Sequence, residues 1–514
     1  MSEEDPRILE LRALREKSKQ GGGFDRIAKQ HEKGKMTARE RISFLLDPNT
    51  FSEMEAFAVQ MIDPQAEQPL GDGVVTGFGS IDGRTVYIYA QDFTIQGGSL
   101  GQMQSRKICR IMDLAVQAGA PVIGMIDSGG ARIQEGVHSL SGYAEIFRRN
   151  SLYSGIIPQI SVIMGPCAGG AAYSPALTDL IIMVEKQSYM FLTGPEVIKS
   201  VTGEIVDSET LGGAETHLSI SGLAHLISQS EKDALITVRK VLSYLPSNQI
   251  DNPPSFDCKD DPWRMDETLN SIVPIDPTIA YSMHNVIESI VDCDSFIELQ
   301  KSFARNAVIG LARMAGMSVG IIAQEPSVMA GVLDIDAADK ICRFIRFCDC
   351  FNIPLVTLVD SPGFLPGRDQ EHGGIIRHGA KVLYAYSEAS VPMVSVVTRK
   401  AYGGAYIVMS SKVLCCDVSF AWPSAEIAVM GAEGAANILY RRQIDLADDP
   451  ELERARLIEE YSKKYLSPYA AAAADVIDEV IEPRETRGRV IAALLALKNK
   501  SITPLPRKHG NMPV

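Results

Sequence analysis

The chain has 514 residues, 46% of them hydrophobic and 22% charged, with a formal net charge of −14. At about 150 residues per domain this length predicts two to four units, and the composition is that of a globular protein rather than a disordered or fibrous one. The acidic balance argues against a general nucleic-acid binder, whose footprint would be basic.

The first stretch, MSEEDPRILELRALREKSKQ, is charged and helical in pattern and lacks the apolar core of a signal peptide, so no export is expected. No apolar run approaches the roughly 20 residues that span a bilayer. GIIPQISVIMG and PLVTLVD are interrupted or short, so direct membrane insertion is not expected either. Nine cysteines occur with no C-x-x-C pair, which argues against a zinc ribbon and for reduced thiols in a cytoplasmic protein.

From residue 73 onward, β-branched runs (TVYIYA, PVIGMID, ISVIMG) alternate with helical stretches such as QSRKICRIMDLAVQAG. That alternation predicts an α/β architecture with strands buried on both faces. Residues 246–277, rich in Pro, Asp and Asn, predict a linker between an N-terminal domain (1–245) and a C-terminal domain (278–514). The two domains repeat each other. Gly77 matches Gly310, Gly83 matches Gly316, Gln91 matches Gln324, Gly98 matches Gly331 and Asp127 matches Asp360, each pair 233 residues apart. Gly169 and Gly170 match Gly403 and Gly404 at a spacing of 234.

These last glycines lie in GPCAGGAAYS (165 to 174) and RKAYGGAYIVMS (399 to 410), each following an apolar run that opens on a proline. At a strand-to-helix turn, Gly-Gly-Ala lets a ligand approach the backbone, and the first helical amides carry partial positive charge. Two such amides can form an oxyanion hole, each donor being worth about 2.7 to 4 kcal/mol in a transition state. A single Gly-Gly is more often close strand–helix packing; its repetition in matched register favours the anion site.

The motifs DSGGARIQEG (127 to 136), GPCAGGAAYSPALTD (165 to 179), EPSVMAGVLD (325 to 334), EHGGIIRHGAK (371 to 381), RKAYGGAY (399 to 406) and AWPSAEIAVMGAEGAANI (421 to 438) resemble the carboxyltransferase β subunits of biotin-dependent acyl-CoA carboxylases, the propionyl-CoA carboxylase type. The resemblance covers nearly the whole chain. It implies two crotonase-like domains, a homohexamer, and an active site shared between the N-terminal domain of one subunit and the C-terminal domain of another. The implied substrates are a short-chain coenzyme A thioester, held by the amides of Gly169 and Gly170, and carboxybiotin, held by those of Gly404 and Ala405. Ile407 falls where propionyl-specific members often carry Asp, which implies use of both propionyl-CoA and acetyl-CoA.

The same resemblance raises three smaller questions. Arg132, after the Gly129-Gly130-Ala131 turn, is expected either to meet a coenzyme A phosphate or to anchor its loop through Asp127 or Glu135. Lys35, Arg39 and Arg41 in GKMTARERI could meet the nucleotide, although basic positions on a capped helix usually form a solvated face. His372 and His378 could serve in acid–base chemistry, although histidines at a helix start more often bond locally.

The sequence carries no G-x-x-x-x-G-K-[ST] loop and no Met-Lys-Met biotin-attachment site. Biotin carboxylase and a biotin carboxyl carrier are therefore expected as partners, in one chain or two. Two alternatives stay open: the carboxyltransferase subunit of a methylmalonyl-CoA decarboxylase or transcarboxylase, and a non-catalytic coenzyme A-binding scaffold.

Overall fold

The computed structural model describes residues 4–60, 68–276, 278–502 and 505–513; residue 277, the last of the expected linker, lies outside them. The chain divides into two compact units, Met1–Asn252 and Pro253–Val514. Much of the expected linker packs onto the second unit. The Phe256 amide donates to the Gly316 carbonyl, Arg264 donates to the Ser289 and Val291 carbonyls, and Leu269 is buried in the second core.

The first unit is built on an eight-stranded sheet: β1 (Ser52–Met54), β2 (Val74–Ile81), β3 (Arg84–Gln91), β4 (Val122–Ser128), β5 (Gln159–Ala168), β6 (Leu180–Val184), β7 (Tyr189–Phe191) and β8 (Leu226–Ser228). The order is β1-β2-β3-β4-β5-β6-β8, with β7 paired to the end of β5. The hairpin β1-β2-β3 is antiparallel and the rest is parallel. All seven residues of β4 and all five of β6 are buried, the pattern of strands covered by helices on both faces.

The second unit repeats this plan with β9 (Ile297–Leu299), β10 (Ala307–Met314), β11 (Met317–Gln324), β12 (Leu355–Ser361), β13 (Met393–Tyr402), β14 (Val418–Ala421), β15 (Glu426–Ala428) and β16 (Glu479–Val480). Its order is β16-β14-β13-β12-β11-β10-β9, with β15 paired to the end of β13. The matched glycines have matched causes. A Cβ on Gly77 would lie 2.3 Å from the Ser52 carbonyl of β1, and one on Gly310 would lie 2.5 Å from the Ile297 carbonyl of β9. Gly83 and Gly316 both turn their hairpins at φ +77°, which favours glycine.

One pair of charges is also repeated. Lys107 and Lys340, on the helices Gln102–Ala118 and Ile335–Cys350, bury their ammonium groups against main-chain carbonyls, among them Val74 of β2 and Ala307 of β10. Burial pushes both down to about 8.

Candidate active site

Both glycine turns sit where the longest strand of a sheet runs into a short helix. In the first unit β5 enters the helix Gly170–Ala176 through Gly169, at φ 61° and ψ −127°, a conformation that favours glycine. The Gly169 amide donates to the Phe191 carbonyl of β7 at 2.9 Å, so it continues the ladder and has nothing to offer a ligand. This departs from the expected Gly169–Gly170 donor pair. The amides of Gly170 and Ala171 are the first of the helix and have no intrahelical acceptor.

In the second unit β13 enters the helix Gly403–Val408. Gly403, at φ 56°, holds the place of Gly169 beside the same kind of parallel pairing (Tyr402 with Ala428 of β15), and Gly404 and Ala405 supply the first amides of the helix, which have no intrahelical acceptor. Gly404 is exposed and Ala405 is wholly buried behind it. Beside the turn lies a cavity of about 390 Å³ lined by Gly404, Ile407, Val408, Phe364, Ile375, Ile376 and Leu383, with Glu371 contributing a carboxylate. An apolar slot with amides at one end suits a thioester or a cyclic urea with a hydrocarbon arm, since it excludes water and presents directed partial charge where an oxygen turns negative.

Ile407 is one wall of this cavity. Phe364 went unnoticed in the sequence. The repeat carries the signal: Phe364 matches Ala131, and the bridges Leu100–Ala131 and Leu333–Phe364 occupy the same place in the two units.

The loop Gly129–Arg132 is held from within. The Gly129 amide donates to the Gly97 carbonyl, Gly130 turns at φ 102°, and the Gly130 carbonyl accepts from Leu100. Arg132 is 1% exposed, and its Nη1 bonds Asp72 and Glu135 at 2.7 Å each while Nη2 donates to the Ser99 carbonyl. It anchors the loop and presents no face to a phosphate.

Neither reading of the N-terminal basic cluster holds for Lys35 and Arg41, which are buried. Lys35 Nζ lies 2.7 Å from Asp127, and Arg41 spans Asp127 at 3.0 Å and Glu231 at 2.7 Å. The helix Ala38–Leu45 is capped by a Thr37–Glu40 box, and that fixed start aims Arg41 inward. Arg39 pairs with Glu53 at 2.6 Å. His372 lies exposed in the helix Arg368–Gly373. His378 is held by Asp339 at 2.9 Å and faces Lys381 at 3.2 Å, and neither histidine lines the cavity.

A carboxyl transferase domain profile matches residues 29–512. The chain belongs to the carboxyl transferase family. It is 56% identical to a propionyl-CoA carboxylase carboxyltransferase subunit of Haloferax mediterranei, with 100% of both chains covered. It is 53% identical to a methylmalonyl-CoA decarboxylase subunit alpha of Propionigenium modestum, again over 100% of each. Among solved structures, a transcarboxylase 12S hexamer core, described with methylmalonyl-coenzyme A and methylmalonic acid bound, matches with a TM-score of 0.97 at 50% identity, covering 100% of this chain and 99% of that one. Two α/β units of crotonase-like plan thus agree with the family. Among the described residues no helix is long and apolar enough to cross a membrane.

Proposed function

We propose that this carboxyl transferase moves a carboxyl group from carboxybiotin, carried on a partner protein, to the α-carbon of propionyl-CoA or acetyl-CoA, giving methylmalonyl-CoA or malonyl-CoA. The observation that carries the reading is the pair of glycine turns, each with helix-start amides that have no intrahelical acceptor, in a chain of this family. The biotin carboxyl carrier and a biotin carboxylase are the partners, and the working form is a homohexamer like that of the transcarboxylase neighbour.

Carboxybiotin is a substrate here: its N–CO₂ bond breaks, the new C–C bond forms at the α-carbon, and the ureido group takes the α-proton. The chain's own task is to stabilise two oxygens. In the first unit the thioester oxygen is held by Gly170 with Ala171, because the amide of Gly169 is spent. In the second, Gly404 faces the ureido oxygen and Ala405 adds the field of its buried amide. The apolar walls around Gly404 keep water from the activated carboxyl group. None of these steps requires a titrating side chain, which accords with His372 and His378 lying elsewhere.

The deciding experiment is Gly404→Val, assayed for transfer from free carboxybiotin. Transfer falls by about 10²–10³-fold with an unchanged melting temperature, because a side chain occupies the anion's place. A near wild-type rate rejects the reading. Direction is a separate question, since the decarboxylase relative is nearly as similar as the carboxylase. ATP-dependent fixation by the assembled complex supports carboxylation, and co-purification with a membrane-embedded ion pump supports decarboxylation. Ile407→Asp changes the ratio of propionyl-CoA to acetyl-CoA use by the amount one methylene is worth, about 1 to 3 kcal/mol, measured in direct competition.

A further inference from the structure

The second unit contains another cavity, of about 630 Å³, that shares no lining residue with the one beside Gly404. Its walls include Trp422, Leu466 and Tyr469, and its polar residues include Arg399 and Lys463. The Arg399 side chain is only 7% exposed. Its Nε bonds Asp360 at 3.0 Å and its Nη1 donates to the Ile279 carbonyl at 2.8 Å, while its face stacks on Tyr281. Among the described residues Nη2 has no acceptor. Nη2 is not among the buried unpartnered atoms, so this edge of the guanidinium is reachable from the cavity that Arg399 lines.

The first unit shows the same position completed. Arg399 matches Gly165, where a Cβ would fall 2.1 Å from Asp127 and 2.4 Å from the Lys35 ammonium. There the buried cations Lys35 and Arg41 meet two carboxylates, Asp127 and Glu231, and Glu231 also takes the amide of Gln187. Glu231 opens the helix Glu231–Leu242; the corresponding helix of the second unit, Thr486–Ala496, opens on Thr486, whose hydroxyl is occupied by the Trp422 indole at 2.9 Å. The second unit has no carboxylate at that helix start; the cavity that opens there is lined by one carboxylate, Glu426, which accepts from the Tyr402 hydroxyl.

We propose that this cavity binds a small amphipathic carboxylate, its head on the outer edge of Arg399 and its hydrocarbon body against Trp422, Leu466 and Tyr469. The volume is that of a small-molecule pocket, about 300–1,000 Å³. Lys463, exposed at the cavity's rim and paired with Glu459 at 2.6 Å, adds a second positive charge for an anion.

The test titrates the assembled full-length protein with octanoate and with 1-octanol, which has a similar tail and no charge, following ligand signals by NMR. Octanoate binds saturably, one per chain, and octanol at least 10-fold more weakly. Lys463→Glu, a surface change that leaves the Arg399–Asp360 pair intact, weakens octanoate at least 10-fold, and Arg399→Lys abolishes the preference for octanoate over octanol. Equal binding of the two probes, or unchanged octanoate affinity in Lys463→Glu, overturns the proposal. So does competitive displacement of octanoate by propionyl-CoA, which would locate the probe at a glycine turn.

Discussion

At the first glycine turn the ring of Tyr143 lies against Gly170, so a Cβ there would come within 2.9 Å of it; at the second, the nearest atom to a Cβ on Gly404 is a ring carbon of Phe364 at 3.7 Å. Tyr143 stacks on Phe147, and Phe147 meets the edge of Tyr173, the residue that matches Ile407. One turn is therefore backed by a ladder of aromatic rings and the other faces an apolar cavity. The difference teaches that a duplicated backbone can keep its anion-stabilising ends while each copy's helices reshape what stands beside them.

The supports of the two turns differ as well. Asp127 at the end of β4 is met by Lys35 and Arg41 from the N-terminal helices, whereas Asp360 at the end of β12 is met by Arg399 from the neighbouring strand. The largest expected effect tests this dependence. Arg41→Met leaves Asp127 and Glu231 buried with one cation between them, and truncating one partner of a buried pair costs about 3–5 kcal/mol. Chemical denaturation of the variant shows the first unit unfolding at lower denaturant; a midpoint equal to that of the wild type would mean the N-terminal helices are dispensable to this unit.

A smaller contrast separates the turns themselves. Gly170→Ala pushes a methyl group into the Tyr143 ring and costs about 1–3 kcal/mol, as overpacking does. Gly404→Ala meets nothing closer than 3.7 Å and leaves stability within about 0.5 kcal/mol of wild type, a usual outcome for substitutions without a clash. Thermal melts of the pair decide it: equal losses would mean that Tyr143 yields freely and that the two turns are alike.

Much of the fold was legible because the 233-residue spacing is written in glycines whose need is local: a hairpin turn at Gly83 and Gly316, a close strand pairing at Gly77 and Gly310. The glycine turns were legible for the same reason. What sequence could not supply was partnership over distance. Whether Gly169 keeps a free amide depends on β7 pairing with β5, and Lys35 and Arg41 looked like surface charges because Asp127 lies 92 and 86 residues away and Glu231 farther still. Arg132 could be read two ways until its short reach to Asp72 and Glu135 was seen.

The smallest expected effect concerns a position where the repeat is kept and extended. Asp92 accepts from the Thr94 amide and hydroxyl, and Glu325, its match, accepts from those of Ser327. Being longer by one methylene, Glu325 also reaches the His284 ring at 2.9 Å, and Glu298 lies on the ring's other side at 3.2 Å. The hydrogen bonds to Glu298 and Glu325 raise His284 to about 9. A histidine raised in the folded state stabilises fully below its ordinary value near 6.5, and the gain fades as pH climbs through about 9. Lys107 and Lys340, lowered to about 8, act in the opposite sense, gaining as pH rises toward their ordinary range. The difference between wild type and His284→Gln cancels that background. Melting temperatures of the two should therefore lie farthest apart near pH 6 and converge by about pH 10. A gap that stays constant across that range would show that His284 contributes by packing alone, and that the longer carboxylate of the second unit adds no charge pairing to the turn it shares with the first.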